Sequence, residues 1–182
     1  MRHDRRDADA RDGHDQGDDP SDPVTGAEES LRDRIAAAFA GVTPPPADRM
    51  LLDAFAGSHD AEEMAAAFRG RSWTDLSIDE LFRHREMVVA LGPAAYRAYL
   101  PAYLTATLTD DARRGPDLRE YLLFGLRPLS DEGFDVATTR ERLSLLDRAQ
   151  RDAVAAVLRY LVDERHVEEA VDVLREWEPP AG

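Results

Sequence analysis

Apolar side chains recur along most of this chain every three or four positions, the period that places them on one face of an α-helix. Helices are therefore expected at about 28–40, 58–68, 78–91, 93–108, between Pro116 and Pro128, 139–165 and 167–177, with a short helical turn near 50–55. No stretch shows the alternation of β-branched residues that is typical of strands. The pattern predicts an all-α fold, a single compact domain of six to eight helices.

Two local signals sharpen this outline. Ser77 stands three residues before Glu80, the spacing of a capping box, and so predicts the beginning of the helix expected over 78–91. Pro101 lies inside the next stripe, where it removes one backbone hydrogen bond and crowds the preceding turn. We therefore expect a kink at Pro101, or two short helices in place of one.

The first 26 residues differ from the rest. They contain eight Asp and four Arg, no aromatic residue, and several Gly and Pro. Such a segment buries too little apolar surface to offset the entropy lost on ordering. The expected organisation is a disordered acidic N-terminal tail, residues 1–26, followed by a helical domain, residues 27–178.

The net charge limits the classes of macromolecule that this chain is expected to bind. The formal net charge is −14, from 37 acidic and 23 basic residues, and the basic residues are all Arg. Such a charge repels phosphate backbones, so no nucleic acid partner is expected, whereas a protein partner is compatible with it. No run of 18 apolar residues predicts a membrane span, and no signal peptide is evident, so we expect no membrane association and a cytoplasmic location.

Candidate chemistry is sparse. The chain has no Cys and no Lys, which excludes thiolate metal sites, cysteine nucleophiles and lysine Schiff bases. His59, His84 and His166 each have a carboxylate three or four residues away, but the Glu-x-x-His motif of di-metal bundles does not occur. We expect His84 in the core and the other two in solvent. The sequence therefore predicts no catalytic residue, no metal ligand and no cofactor.

An aromatic stripe is the strongest remaining feature. Tyr96, Tyr99 and Tyr103 fall on one helical face beside Pro101, and Trp73 and Arg97 are the other candidates for the same region. Aromatic residues at this spacing are typical of a packed core. The alternative is a small-molecule pocket near Pro101 with these five side chains as its walls.

Three segments in combination resemble a bacterial domain family of unknown function. They are Ser72-Trp73-Thr74-Asp75-Leu76, the stretch from Leu91 to Leu104 that contains Tyr99-Leu100-Pro101-Ala102, and a late helix with Gln150 and Tyr160-Leu161. The resemblance covers about residues 28–163, so the acidic tail and the last helix are expected to be additions. It implies a small, largely helical protein and implies no activity or catalytic residue.

Two functional hypotheses follow. The first is a non-enzymatic protein-binding module of the antagonist or immunity type. The second is an enzyme or small-ligand-binding protein that uses the aromatic-lined pocket near Pro101. A cavity between the aromatic rings would favour the second hypothesis, whereas rings packed against each other would remove it.

Overall fold

The computed structural model describes residues 23–109, 117–127 and 136–177. Over these ranges the chain contains no β-strand and nine α-helices: α1 (Pro23–Ala38), α2 (His59–Phe68), α3 (Ile78–Arg83), α4 (Met87–Ala90), α5 (Pro93–Thr107), α6 (Asp117–Leu126), α7 (Val136–Ser144), α8 (Arg148–Asp163) and α9 (Glu168–Trp177). Three single 3₁₀ turns cover Ala47–Arg49, Asp53–Phe55 and Trp73–Asp75. The predicted all-α class is confirmed, with one helix more than the predicted maximum.

The helix expected over 78–91 is divided into α3 and α4. It begins where predicted, because the Ser77 side chain accepts from the amide of Glu80 and the Glu80 carboxylate accepts from the amide of Ser77. It ends at His84, whose backbone leaves the helical region at φ −114° and ψ 35°. The His84 carbonyl accepts from Met87 N and from the hydroxyl of Tyr103, so tertiary contact stabilises the break.

The long helix expected over 139–165 is also divided, into α7 and α8. Asp147 is extended, and its carboxylate accepts from the amide of Gln150 at 2.9 Å. The Gln150 side-chain oxygen in turn accepts from the amide of Asp147 at 3.2 Å. This capping box begins a new helix inside a continuous apolar stripe, which is why periodicity alone did not show it.

Helix α5 lies at the centre of the described core. Ten of its fifteen residues are buried, a distribution typical of a helix surrounded by others. It contacts α1, α3, α4, α6, α7 and the Trp73–Asp75 turn. It is continuous across Pro101, so the second of the two alternatives, a division into two short helices, is wrong. Pro101 itself is buried, and packing on several sides holds the helix together despite the missing amide.

The second layer is formed by α8, which packs on α1 and α9. Glu28 of α1 links these elements, because its carboxylate accepts from the Tyr160 hydroxyl at 2.7 Å and lies 3.7 Å from the Arg165 guanidinium. The predicted tail overlaps α1, which begins at Pro23 and so includes the last four tail residues. The remainder of the predicted tail lies outside the described residues.

One short backbone pairing holds the segment before α2 against the start of α5. Leu51 and Leu91 form an isolated antiparallel bridge, in which Gly92 N donates to Met50 O at 2.9 Å. A Cβ at Gly92 would lie 3.0 Å from the carbonyl oxygen of Arg49. Glycine at this position therefore permits the close approach of two backbones.

Candidate functional site

An open cavity of about 230 Å³ lies between the Trp73–Asp75 turn, α3 and the second half of α5. We call it the Trp73 pocket. Its walls are mostly apolar, with three threonines, and consist of Trp73, Thr74, Leu76, Ile78, Leu81, Ala102, Thr105, Ala106 and Thr109. The pocket lies beside Pro101, in the region that the sequence indicated, but its walls differ from those predicted.

Local hydrogen bonds stabilise the turn that carries Trp73. The Ser72 hydroxyl accepts from the amide of Thr74 at 3.3 Å, and the Asp75 carboxylate accepts from the amide of Ser72 at 3.1 Å. The two contacts form a capping box around a single 3₁₀ turn. They hold the backbone on both sides of Trp73.

An ion pair holds this turn against α3. Arg71 Nη1 lies 2.7 Å from Glu80 Oε1, Arg71 Nη2 lies 3.2 Å from Glu80 Oε2, and Nη2 also donates to the carbonyl of Asp75. The paired arginine, with the amide and hydroxyl of Ser77, lowers the pKa of Glu80 to about 2. The same carboxylate raises the pKa of Arg71. Both groups are charged near neutral pH, so the Arg71–Glu80 ion pair is present there.

Tyr99 closes the rear of this region. Its hydroxyl donates to the carbonyl of Phe68 at 2.6 Å and lies 3.2 Å from that of Arg71. Its ring meets the Phe68 ring edge-on at 5.3 Å between centroids. The segment that leads from α2 to the Trp73 turn is thus attached directly to α5.

The three candidate tyrosines lie in the core, not at a pocket wall. Tyr96, Tyr99 and Tyr103 are each 0% exposed. Their hydroxyls donate to backbone carbonyls, those of Tyr96 and Tyr103 to Gly125 and His84. None of the three lines the Trp73 pocket. Burial raises the pKa of Tyr99 to about 12 and raises those of Tyr96 and Tyr103 further, so these phenols remain protonated hydrogen-bond donors.

Arg97 also points away from the Trp73 pocket. Its Nε donates to Gln150 Oε1 at 3.0 Å, and its Nη2 lies 3.7 Å from the Asp147 carboxylate. Arg97 therefore contacts the beginning of α8. Of the five predicted wall residues, only Trp73 lines the pocket.

The structure buries two polar side chains whose burial was not expected from the sequence, Arg142 and Gln150. Arg142 is 1% exposed, donates through Nη2 to the carbonyls of Val89 and Leu91, and lies 5.0 Å from the centroid of the Tyr96 ring. Burial lowers its pKa. Gln150 is also 1% exposed. The capping-box spacing from Asp147 to Gln150 could have indicated the second residue, but no local signal distinguishes Arg142 from its surface neighbours.

The histidines are placed apart from one another. His59 and His166 are exposed, as expected. His84 is only half-buried, at the end of α3, and meets the Phe68 ring edge-on at 6.1 Å. Within the described ranges, no group of three or more His, Asp or Glu side chains is arranged to hold a metal ion.

None of the helices described above is both long and apolar enough to cross a bilayer. The model of a family of unknown function, DUF6714, matches residues 27–179. That range includes α9, so the expectation that the last helix is an addition was wrong. No curated protein and no solved structure matches the chain.

Proposed function

We propose that this chain, which belongs to the family of unknown function DUF6714, is a non-enzymatic protein-binding module whose Trp73 pocket accepts one apolar side chain of a partner protein. The observation that carries the proposal is the size and lining of the pocket. At about 230 Å³ it is smaller than the usual range for small-molecule sites, about 300–1,000 Å³. A single large apolar side chain is a closer match, and such side chains dominate the energetics of protein interfaces.

The rigidity of the pocket supports the same proposal. The capping box around Trp73 and the Arg71–Glu80 ion pair hold two walls before any partner arrives. The third wall belongs to α5, which is packed on several sides. A preformed pocket lowers the ordering cost of association, so even one anchor residue can contribute usefully to affinity.

The charge of the chain favours a basic partner. With a net charge of −14, the protein attracts positively charged surfaces and repels acidic ones. We place the module among antagonist or immunity-type proteins, which act by covering a surface of their target. A toxin encoded beside this gene would be the first partner to test.

A second candidate is a small-ligand site in the same pocket. It is supported by the lining of the pocket, in which three threonines stand among apolar residues. Small-ligand sites typically combine an apolar lining with a few polar side chains. Mass spectrometry of compounds released on denaturing the purified chain would distinguish this candidate from the first.

The test is a comparison of two alanine-to-phenylalanine variants as baits. Ala106 lines the pocket, so Ala106→Phe places a ring inside it, whereas Ala37 is exposed on α1 and lies outside the pocket lining. Immobilised full-length wild type and both variants are incubated with lysate of the source organism, and retained proteins are quantified. We expect a partner that wild type and Ala37→Phe retain and that Ala106→Phe retains about tenfold less.

Helical circular dichroism of each bait provides the folding control. The proposal is contradicted if every protein retained above background is retained equally by Ala106→Phe. It is also contradicted if nothing is retained above background at moderate salt. A small molecule present in wild type and absent from Ala106→Phe would favour the second candidate instead.

A further inference from the structure

Helix α7 is attached to the core differently from the other helices described above. Each of the other eight buries at least one apolar side chain, for example Ile35 in α1 and Val173 in α9. The two buried side chains of α7, Thr139 and Arg142, are both polar. Leu143 packs against the core only in part. Little apolar burial therefore holds α7 in place.

A polar contact attaches α7 to the end of α4. Arg142 Nη2 donates to the carbonyl oxygens of Val89 and Leu91, and the guanidinium carbon lies 5.0 Å from the centroid of the Tyr96 ring. Burial opposes this arrangement, because it removes water from the cation and lowers the pKa of Arg142. If α7 moves away, water returns to the cation and to both carbonyls, so the lost hydrogen bonds are largely replaced.

The link between α7 and α8 is anchored separately. Leu146 is 3% exposed, and its carbonyl oxygen accepts from Arg151 Nε at 3.0 Å. Leu145, one position earlier, is 40% exposed, so the backbone there can act as a hinge while Leu146 stays in place. A helix of nine residues is marginal by itself in water. A detached α7 therefore loses its helical hydrogen bonds, and its amides become exchangeable.

We infer that α7 is a lid, which detaches from the end of α4, turns about the link to α8 and leaves the other helices folded. The surface that it uncovers consists of the Tyr96 ring and the carbonyl oxygens of Val89 and Leu91. None of these residues lines the Trp73 pocket, so this inference adds a second surface and does not depend on the proposed function. Elements that move in regulation belong to the parts of a protein with a low free energy of local opening.

Hydrogen exchange of the wild-type full chain, followed by NMR, tests whether α7 opens by itself. The amides of residues 140–144 lie within α7, and those of residues 152–161 lie within α8. We expect the α7 amides to exchange at least about a hundredfold faster, because each large apolar side chain that stays buried lowers the opening constant by about tenfold or more. The α7 rates should also change little with urea below the unfolding transition, because a local opening exposes little surface.

Labelling of a single thiol provides a second measurement. The chain has no Cys, so one introduced thiol reports on one position. Thr139→Cys lies on α7 and Val157→Cys lies on α8, at positions that are 6% and 0% exposed. We expect the first thiol to react without urea and the second to react only where urea unfolds the domain. Thr139→Val places an apolar side chain of similar shape at the same position, and it should slow exchange of the α7 amides about threefold.

The inference is overturned if the amides of α7 and α8 exchange at the same rate with the same urea dependence, because α7 would then open only when the domain unfolds. It is also overturned if the two thiols react together, or if Thr139→Val leaves exchange in α7 unchanged. Circular dichroism at each urea concentration verifies that the domain is folded. If a cysteine variant does not fold, exchange in the wild type decides the question by itself.

Discussion

Two adjacent faces of α5 use their side chains in different ways. The tyrosine face, formed by Tyr96, Tyr99 and Tyr103, is fully buried, and its hydroxyls reach backbone carbonyls 19 to 31 residues away in sequence. The pocket face, formed by Ala102, Thr105 and Ala106, leaves space beside it. Large side chains on one face attach distant segments to the helix, and small side chains on the other leave room for an external group. The resemblance to a known family thus came largely from residues that build the fold.

The largest effect is expected from removing a ring on the tyrosine face. Tyr103→Ala deletes a fully buried side chain and its hydrogen bond to the His84 carbonyl. We expect the free energy of unfolding to fall by about 4 kcal/mol, measured by urea denaturation. The control is Tyr121→Ala, because Tyr121 is only half-buried. Similar losses in the free energy of unfolding for the two variants would contradict the prediction that the buried tyrosine face stabilises the fold more than a half-buried tyrosine does.

Removing only a hydroxyl should have a smaller effect. Tyr99→Phe leaves the ring in place and deprives the carbonyls of Phe68 and Arg71 of the phenol contact. We expect a loss of about 1–2 kcal/mol in the free energy of unfolding. Tyr121→Phe, whose hydroxyl donates to the Glu86 carboxylate in an exposed setting, should cost less. An unchanged midpoint for Tyr99→Phe would mean that water replaces this contact freely.

The Arg71–Glu80 ion pair should contribute less to stability in acid. The folded-state pKa of Glu80, about 2, lies below the ordinary glutamate value of 4.5, so its stabilising contribution is present above pH 4.5 and is lost as the pH falls toward 2. We expect Glu80→Gln to cost about 1 kcal/mol at neutral pH.

Unfolding measurements from neutral pH down to acid check the sign. The stability difference between wild type and Glu80→Gln should shrink as the pH falls below 4.5. A constant difference for Glu80→Gln across this range would contradict the lowered pKa.

The smallest effect is expected on the pocket face. Ala106→Phe adds a ring where space exists, so the free energy of unfolding should stay within about 1 kcal/mol of wild type. Ala98→Phe adds the same ring to a 2% exposed position of α5 outside the pocket, where overpacking should cost about 1–3 kcal/mol. Thermal and urea denaturation compare them. Equal losses of stability in the two variants would show that the Trp73 pocket has no room for a phenylalanine ring.

The sequence predicted the helices that have clear ends. The helices α2, α6 and α9 follow their apolar stripes closely, and the α3 capping box begins where Ser77 and Glu80 indicated. The stripe over 139–165 concealed the boundary between α7 and α8, because apolar residues continue in phase across it. Asp147 and Gln150 mark that boundary by hydrogen bonding, a signal that apolar periodicity does not contain.

The candidate site was harder to predict than the fold. The walls of the Trp73 pocket come from two segments about 20 residues apart, and only their packing places Leu76 beside Ala102. A small side chain such as that of Ala106 gives no indication in the sequence that it lines a pocket. The aromatic stripe, by contrast, was visible, and whether its rings line a cavity or fill a core is decided by partners such as the Gly125 carbonyl, which the sequence does not reveal.

Gln150 has a consequence for how this domain opens. Its one side-chain amide accepts from Asp147 N and from Arg97 Nε and donates to the carbonyl of Ala38, so it joins α8, α5 and the end of α1. Displacing α1 or α5 relative to α8 breaks one of these contacts and leaves a polar group of the buried amide without its partner. The three helices should therefore exchange their amide protons as one cooperative unit, with a common opening free energy, even though their sequences are separated by more than a hundred residues.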